Sequence, residues 1–255
     1  MKLTVLGSGS YQPELKRHSA SHLVQIGKQN LVFDFGRGAL DQLMKLGINY
    51  YDIDAIFISH THPDHFSELG SFLHIALAEP GHGKLRKKDI TIHGPKGFKE
   101  KMKYFCKALD IDDFRPKHKV IIKEIAPNQT IKNRNWQITA FSIQHSKHLN
   151  CLACRLNDGK KVFAYSGDSG ICPGLKNAVK NADLALIEAS HYNSLPGMHL
   201  TAPQAGKIAQ ETGVKKLVLT HASPYYWQNF DLKKEAKKYF KGPVILAKDL
   251  MEIII

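Results

Sequence analysis

The stretch Ser59-His60-Thr61-His62-Pro63-Asp64-His65 sets three histidines and an aspartate within six residues. Neutral imidazole nitrogen and carboxylate oxygen are the donors that borderline divalent metals take. Two histidines two residues apart in a tight loop can point into one cavity. Asp64 and His65, directly after them, can face a second ion a few ångströms away. Packing gains nothing from such a set. An exposed histidine loop is the weaker alternative, because an apolar strand pattern precedes these residues and an apolar helix pattern follows them.

The elements that must position this loop are legible from hydrophobic periodicity. Short apolar or alternating runs read as strands at 2–6, 22–26, 30–35, 55–59, 90–93, 120–125, 136–143, 151–156, 162–166, 183–188, 217–220, 244–247 and 251–255. Apolar residues at helical spacing mark helices at 39–46, 66–77, 98–108 and 232–240. Thr201-Ala202-Pro203-Gln204 is a capping box with proline in the first turn, opening a helix that Gly213 closes. Meanders mixed with βα units imply α/β layers around sheets. No repeat, low-complexity tract or Pro/Gly/Ser-rich linker divides the chain, so residues 1–255 are expected to form a single domain. His60, Asp168, Glu188 and His221 all fall where expected strands end. In α/β sheets that is where loops converge on one crevice.

His60, His62, Asp64 and His65 match, without a gap, the H-x-H-x-D-H signature of the metallo-β-lactamase superfamily, which this sequence resembles. The resemblance implies an α/β four-layer αββα sandwich and a hydrolase that uses a hydroxide bound to two metals. By the family pattern His60, His62 and His145 hold one metal, Asp64, His65 and His221 hold the other, and Asp168 bridges them. His145 and His148 both fit the middle histidine. His145 is preferred, since it lies nearer the strand end and the family often carries His-Ser there.

Leu6-Gly7-Ser8-Gly9-Ser10, Gly94-Pro95-Lys96-Gly97, Leu186-Ile187-Glu188-Ala189-Ser190 and His199-Leu200-Thr201-Ala202 resemble the ribonuclease Z branch. That likeness implies a Glu188–His199 dyad that helps protonate the leaving group, so Asp64, Glu188 and His199 are the candidate catalytic residues. Asp34 matches an acidic position behind the metal loop, where it would orient a ligand. Ribonuclease Z enzymes that mature transfer RNA usually carry a long arm between the middle histidine and the bridging aspartate. Here 23 residues separate His145 from Asp168. The resemblance therefore implies a phosphodiesterase for small phosphodiesters or nucleotides. The alternatives are transfer-RNA 3′ processing of the ribonuclease Z type, or thioester or lactone hydrolysis on the same scaffold. Two divalent ions are the expected cofactor, with zinc favoured by the nitrogen-rich donors and manganese or iron also suited.

Lysine plus arginine number 36 against 23 acidic residues, a formal charge of +13. That excludes an acidic solvating protein and makes an anionic partner, RNA included, worth considering. Lys84, Arg86, Lys87 and Lys88 form one basic cluster, Lys99, Lys101 and Lys103 a second, and Lys233, Lys234, Lys237 and Lys238 a helical stripe. Tyr225, Tyr226 and Trp227, just after His221, could stack a base beside the metals. Four cysteines are too few for a disulfide scaffold, and Cys151-x-x-Cys154 falls on an expected strand, whose residues three apart face opposite sides. No run approaches the ~18 apolar residues of a membrane span. No secretion signal is recognisable at the start, so a cytoplasmic location without membrane attachment is expected, and a homodimer is left open.

Overall fold

Strands covered on both faces must be apolar on both faces, and the central strands of this chain are. In the computed structural model, residues 1–77, 88–111, 118–193 and 195–255 are described. The first half runs β1 (Lys2–Gly7), β2 (Ser21–Ile26), β3 (Gln29–Phe35), α1 (Ala39–Lys45), β4 (Ile53–Phe57), α2 (Pro63–Phe66), α3 (Leu69–Leu77), β5 (Ile90–Gly94), α4 (Phe98–Ala108) and β6 (Val120–Glu124). The second half runs β7 (Thr130–Lys132), β8 (Gln137–Ile143), β9 (Cys151–Asn157), β10 (Val162–Tyr165), α5 (Pro173–Val179), β11 (Leu184–Glu188), α6 (Ala202–Glu211), β12 (Leu217–Thr220), α7 (Pro224–Asn229), α8 (Leu232–Lys237), β13 (Val244–Leu246) and β14 (Glu252–Ile254).

Among the described residues these strands form two seven-stranded sheets, ordered β14-β1-β2-β3-β4-β5-β6 and β13-β12-β11-β10-β9-β8-β7. Each sheet has an antiparallel part and a parallel part, the latter being β3 to β6 in one and β10 to β13 in the other. Alternate residues divide the core into three layers. On β3, Leu31 and Phe33 face the second sheet, while Val32 and Phe35 face the helices. On β11, Leu184 and Leu186 face the first sheet, while Ala185 and Ile187 face the helices on the other side. Helices α1, α3 and α4 cover the first sheet through residues such as Leu43, Phe72 and Met102. Helices α5, α6 and α8 cover the second through Leu175, Ile208 and Leu232. The result is the expected four-layer αββα sandwich. No helix among the described residues is long and apolar enough to cross a membrane.

Three local departures from the periodicity have physical causes. The apolar pattern at 66–77 breaks, because Glu68 turns its backbone N–H to the Phe35 carbonyl at 3.1 Å, separating α2 from α3. Helix α5 escapes the pattern because it has only seven residues, too few for its apolar Leu175, Ala178 and Val179 to repeat over more than one turn. A Cβ at Gly174 would lie 1.7 Å from the Ser142 carbonyl oxygen, so only glycine permits this approach. Strand β7 has three residues, none buried, and so carries no core signal.

The sheets meet at the carboxyl ends of their parallel strands. The Leu152 N–H donates to the Ser59 carbonyl at 2.9 Å, and the His221 N–H to that of Ser8 at 3.1 Å. Gly36 lies against this seam: a Cβ there would be 2.1 Å from the Asp64 carbonyl oxygen and 2.8 Å from Ser19 Cβ. Gly36→Ala must therefore push the histidine loop off β3. Overpacking of this kind costs about 1–3 kcal/mol, so Tm should fall by about 5 °C in a calorimetric scan. An unchanged Tm would mean that the loop is not clamped there.

Candidate metal centre

Most candidate side chains sit at or just past a strand end, whereas Asp64 and His65 lie in α2 and His199 lies in the segment between β11 and α6. His60 lies between β4 and α2, and His62 is the N-cap of α2 with Pro63 in its first turn, which puts Asp64 and His65 in one short helical turn. His145 follows β8 by two residues, Asp168 follows β10 by three, Glu188 ends β11, and His221 directly follows β12. Asp34 on β3 and His221 both take left-handed backbone, φ 57° each, which is uncommon outside glycine.

Three overlapping donor groups result among the described residues, His145, Asp168 and His199 forming one that shares members with the other two. In the first of those two, His62 Nδ1 lies 3.0 Å from His60 Nε2 and 3.0 Å from His145 Nε2. In the second, His221 Nε2 lies 3.1 Å from both His65 Nε2 and Asp64 Oδ2. Asp168 stands between these two. Its Oδ2 is 3.9 Å from His60 Nε2, 3.8 Å from His145 Nε2 and 3.3 Å from His65 Nε2, and its Oδ1 is 3.4 Å from His221 Nε2. Within each group the ligand atoms all lie within 4.8 Å of one another.

The outward-facing nitrogens explain why the inward ones are free to bind. His65 Nδ1–H donates to Asp34 Oδ2 at 2.7 Å, and His145 Nδ1–H to the Met198 carbonyl at 2.9 Å. The Ser59 hydroxyl donates to Asp34 Oδ2 at 2.8 Å, so it accepts from His60 Nδ1 at 3.0 Å. Each bond orients its ring so that Nε2 faces the cavity, and a neutral ring so held offers its lone pair there. Ser190 Oγ holds His221 Nδ1 at 2.8 Å. Asp34, fully buried, also accepts from the Ser59 N–H at 2.6 Å and from Tyr165 Oη at 2.6 Å.

Burial holds His60 well below the usual imidazole range and lowers His62, so both stand neutral. At His65, by contrast, Asp168, Asp64 and Asp34 outweigh burial and raise it well above that range, so a cation bound there would have to displace its proton. Burial alone would raise the Asp168 carboxyl, but His221 and His65 outweigh it and hold it well below the usual carboxylate range. Asp168 Oδ1 is buried with no hydrogen-bond partner. A buried carboxylate oxygen without a partner, ringed by nitrogens with inward lone pairs, fits a divalent cation. The residues present therefore suit the expected group.

Beside the centre, fully buried Glu188 accepts from the Ser169 N–H at 2.9 Å, the Ser190 N–H at 3.0 Å and His199 Nδ1 at 2.8 Å. Burial opposes charge on His199, yet Glu188 raises it to about 9. Its ring is 4.7 Å from that of His145 and 5.1 Å from that of His191. His148 is exposed and stands outside all three donor groups.

Other candidates lie elsewhere. Cys151 and Cys154 face different core layers, and burial pushes their thiols up to about 11 and 12. Tyr226 is buried and Trp227 donates to Glu14 at 3.1 Å with Arg17 over its ring, so of the three expected stacking rings Tyr225 alone faces out. This corrects the expected wall, because the turn of α7 rotates its neighbours inward. Lys84, Arg86 and Lys87 lie outside the described residues, while Lys88 pairs with Asp54. Lys101 donates to Thr61 Oγ1 at 2.6 Å, beside the histidine loop.

The model of the beta-lactamase superfamily domain matches residues 29–222. The chain belongs to that superfamily. A probable metallo-hydrolase of the superfamily, YhfI from Bacillus subtilis, is 30% identical over 97% of both chains, and its crystal structure superimposes with a TM-score of 0.83 at 26% identity over 99% of both. Ribonuclease Z from Methanosarcina mazei is 26% identical over 99% of this chain and 97% of its own. Human tRNase Z, short form, shares the fold with a TM-score of 0.78 at 24% identity, covering 100% of this chain and 99% of its own. With these relatives, the chain is a metal-dependent hydrolase of the superfamily. The alignment to the Methanosarcina ribonuclease Z runs over 306 positions against 255 residues here, whereas that to YhfI runs over 254.

Metal analysis of purified variants checks the donor set. His62→Ala, His65→Ala and His145→Ala should each lose bound metal while remaining folded, and His148→Ala should not. Ser190→Ala should weaken metal binding by roughly 10–100-fold through loss of the bond that orients His221. Retention of metal by His145→Ala together with loss in His148→Ala would reverse the assignment.

Proposed function

We propose that the chain is a phosphodiesterase of small diesters, using two divalent cations, zinc first among the candidates. His60, His62 and His145 hold one ion, Asp64, His65 and His221 the other, and Asp168 bridges. The carrying observation is Asp168 standing between two sets of inward lone pairs, with the Glu188–His199 pair alongside. Bound there, the ions would supply an acidic water as nucleophile and positive charge opposite the phosphoryl oxygens.

The chain's own groups do the rest. His199, held through Nδ1 by Glu188, keeps a proton on Nε2 and delivers it to the departing oxygen. A cleft of about 680 Å³ lined by His62, His145, Lys147, His148, Pro196 and Met198 opens onto the donors, a volume that suits a small substrate. Small size is supported by the interval from His145 to Asp168, which is filled by β9, β10 and the turn between them and leaves no length for an arm. Transfer-RNA processing stays the second reading, because a relative covering nearly the whole chain is named ribonuclease Z.

Two assays check this reading. Cleavage of bis(p-nitrophenyl) phosphate should change by less than about twofold between ~50 and ~200 mM salt, where a protein gripping RNA by many phosphates loses orders of magnitude. Far more efficient cutting of precursor transfer RNA at the higher salt would favour the second reading. His199→Ala should lower kcat about 10²–10⁴-fold on a diester with an alkoxide leaving group, and far less on bis(p-nitrophenyl) phosphate, whose phenolate departs unprotonated. Equal losses on both would remove the proton-donor role.

A further inference from the structure

Three aromatic rings stand exposed together, Tyr192 on the segment that carries His191 and His199, and Tyr225 and Phe230 on α7 and its C-cap, just after His221. Tyr192, Tyr225 and Phe230 are 46%, 56% and 36% exposed. Tyr192 lies 5.1 Å from Tyr225, and it stacks on Phe230 at 5.6 Å with ring planes 10° apart. Two connections tie this ledge to the site. Tyr192 follows His191, whose ring is 5.1 Å from that of His199. Tyr225 lies four residues after His221, and the Ser223 N–H between them donates to the Ser190 carbonyl at 3.2 Å. The ledge is also anchored from below. Phe230 packs edge-on to Tyr226 at 5.4 Å, and buried Tyr226 donates to Glu235 and accepts from the Ala202 N–H.

The exposed faces of these rings cost solvation, and none of the three core layers contains Tyr192, Tyr225 or Phe230. A planar, apolar ligand part lying beside a phosphate would cover them. We infer that the Tyr192–Tyr225–Phe230 ledge is a nucleobase subsite, so that the substrate is a nucleotide diester whose base stacks on the ledge while its phosphate meets the metal centre. This rests on the phosphodiester reading and narrows its substrate class. Stacking is tolerant of base identity, because every base presents a π-face. The subsite should therefore select for a base over none, and only weakly among bases.

Calorimetric titration of the metal-loaded protein with adenosine 5′-monophosphate and with ribose 5-phosphate tests it, since the two probes share sugar and phosphate. Wild type should bind the nucleotide about tenfold more tightly, the size of one base–aromatic stack. Tyr225→Ala and Tyr192→Ala should each erase most of that preference while moving ribose 5-phosphate affinity less than twofold, and Tyr225→Phe should retain it. Equal affinity of wild type for both probes, or equal loss of both in Tyr225→Ala, overturns the subsite. An oligoribonucleotide binding a hundredfold tighter than the mononucleotide would overturn the single-base claim in favour of an RNA chain. Hydrolysis of bis(p-nitrophenyl) phosphate by the same preparation is read separately. Its absence with the base preference intact would sink the diesterase reading and leave the subsite standing.

Discussion

One buried carboxylate holds the arrangement together. Asp34, fully inaccessible at the end of β3, accepts four hydrogen bonds: two from Ser59, one from His65 and one from Tyr165. These donors come from the β4 end, from α2 and from the opposite sheet, so one side chain fixes the loop, the helix turn and the seam between sheets. A buried polar group is costly unless satisfied, and here satisfying it requires the native placement of all three elements. The histidine loop is thus held from behind, and its front is left to face a ligand.

That division between back and front runs through the whole site. Ser59, Asp34, Met198 and Ser190 take the outward nitrogens of His60, His65, His145 and His221. The inward nitrogens then converge to about 3 Å from one another, close enough for one cation to be shared among them. Asp168 adds a carboxylate whose Oδ1 has no protein partner. The same logic separates His199 from the neighbouring imidazoles. Glu188 engages His199 through Nδ1 and keeps it charged, whereas burial keeps His60 and His62 neutral. Neighbouring imidazoles therefore differ in role because different groups lie behind them.

Much of this was legible in the sequence, and for a definite reason. Metal chemistry demands rare residue types at close spacing, so His60 to His65 stood out, and strand ends located Asp168, Glu188 and His221. The capping box was equally readable: Thr201 Oγ1 accepts from the Gln204 N–H at 3.3 Å, and Gln204 accepts from the Thr201 N–H at 2.9 Å. The orienting groups were less visible. Ser59, Ser190 and Tyr165 are ordinary residues whose importance comes only from what faces them, and Met198 contributes a backbone carbonyl that no side-chain pattern reports. The aromatic ledge joins Tyr192, from the segment after β11, to Tyr225 and Phe230 of α7 and its C-cap, so adjacency in sequence pointed instead to Tyr226 and Trp227, which turn inward. Asp249 carries no sequence signal of its own, yet it accepts from Ser8 and His18 and fastens the first loop to the turn before the last strand.

The central claim is that the buried donors form two cation sites sharing Asp168. Anomalous X-ray diffraction from crystals of the protein grown with its bound metal tests this most directly. Two peaks about 3.5 Å apart are expected, one among His60, His62 and His145 and the other among Asp64, His65 and His221, with Asp168 between them. A single peak, or a peak held by His199 with His145 and Asp168, would contradict the account.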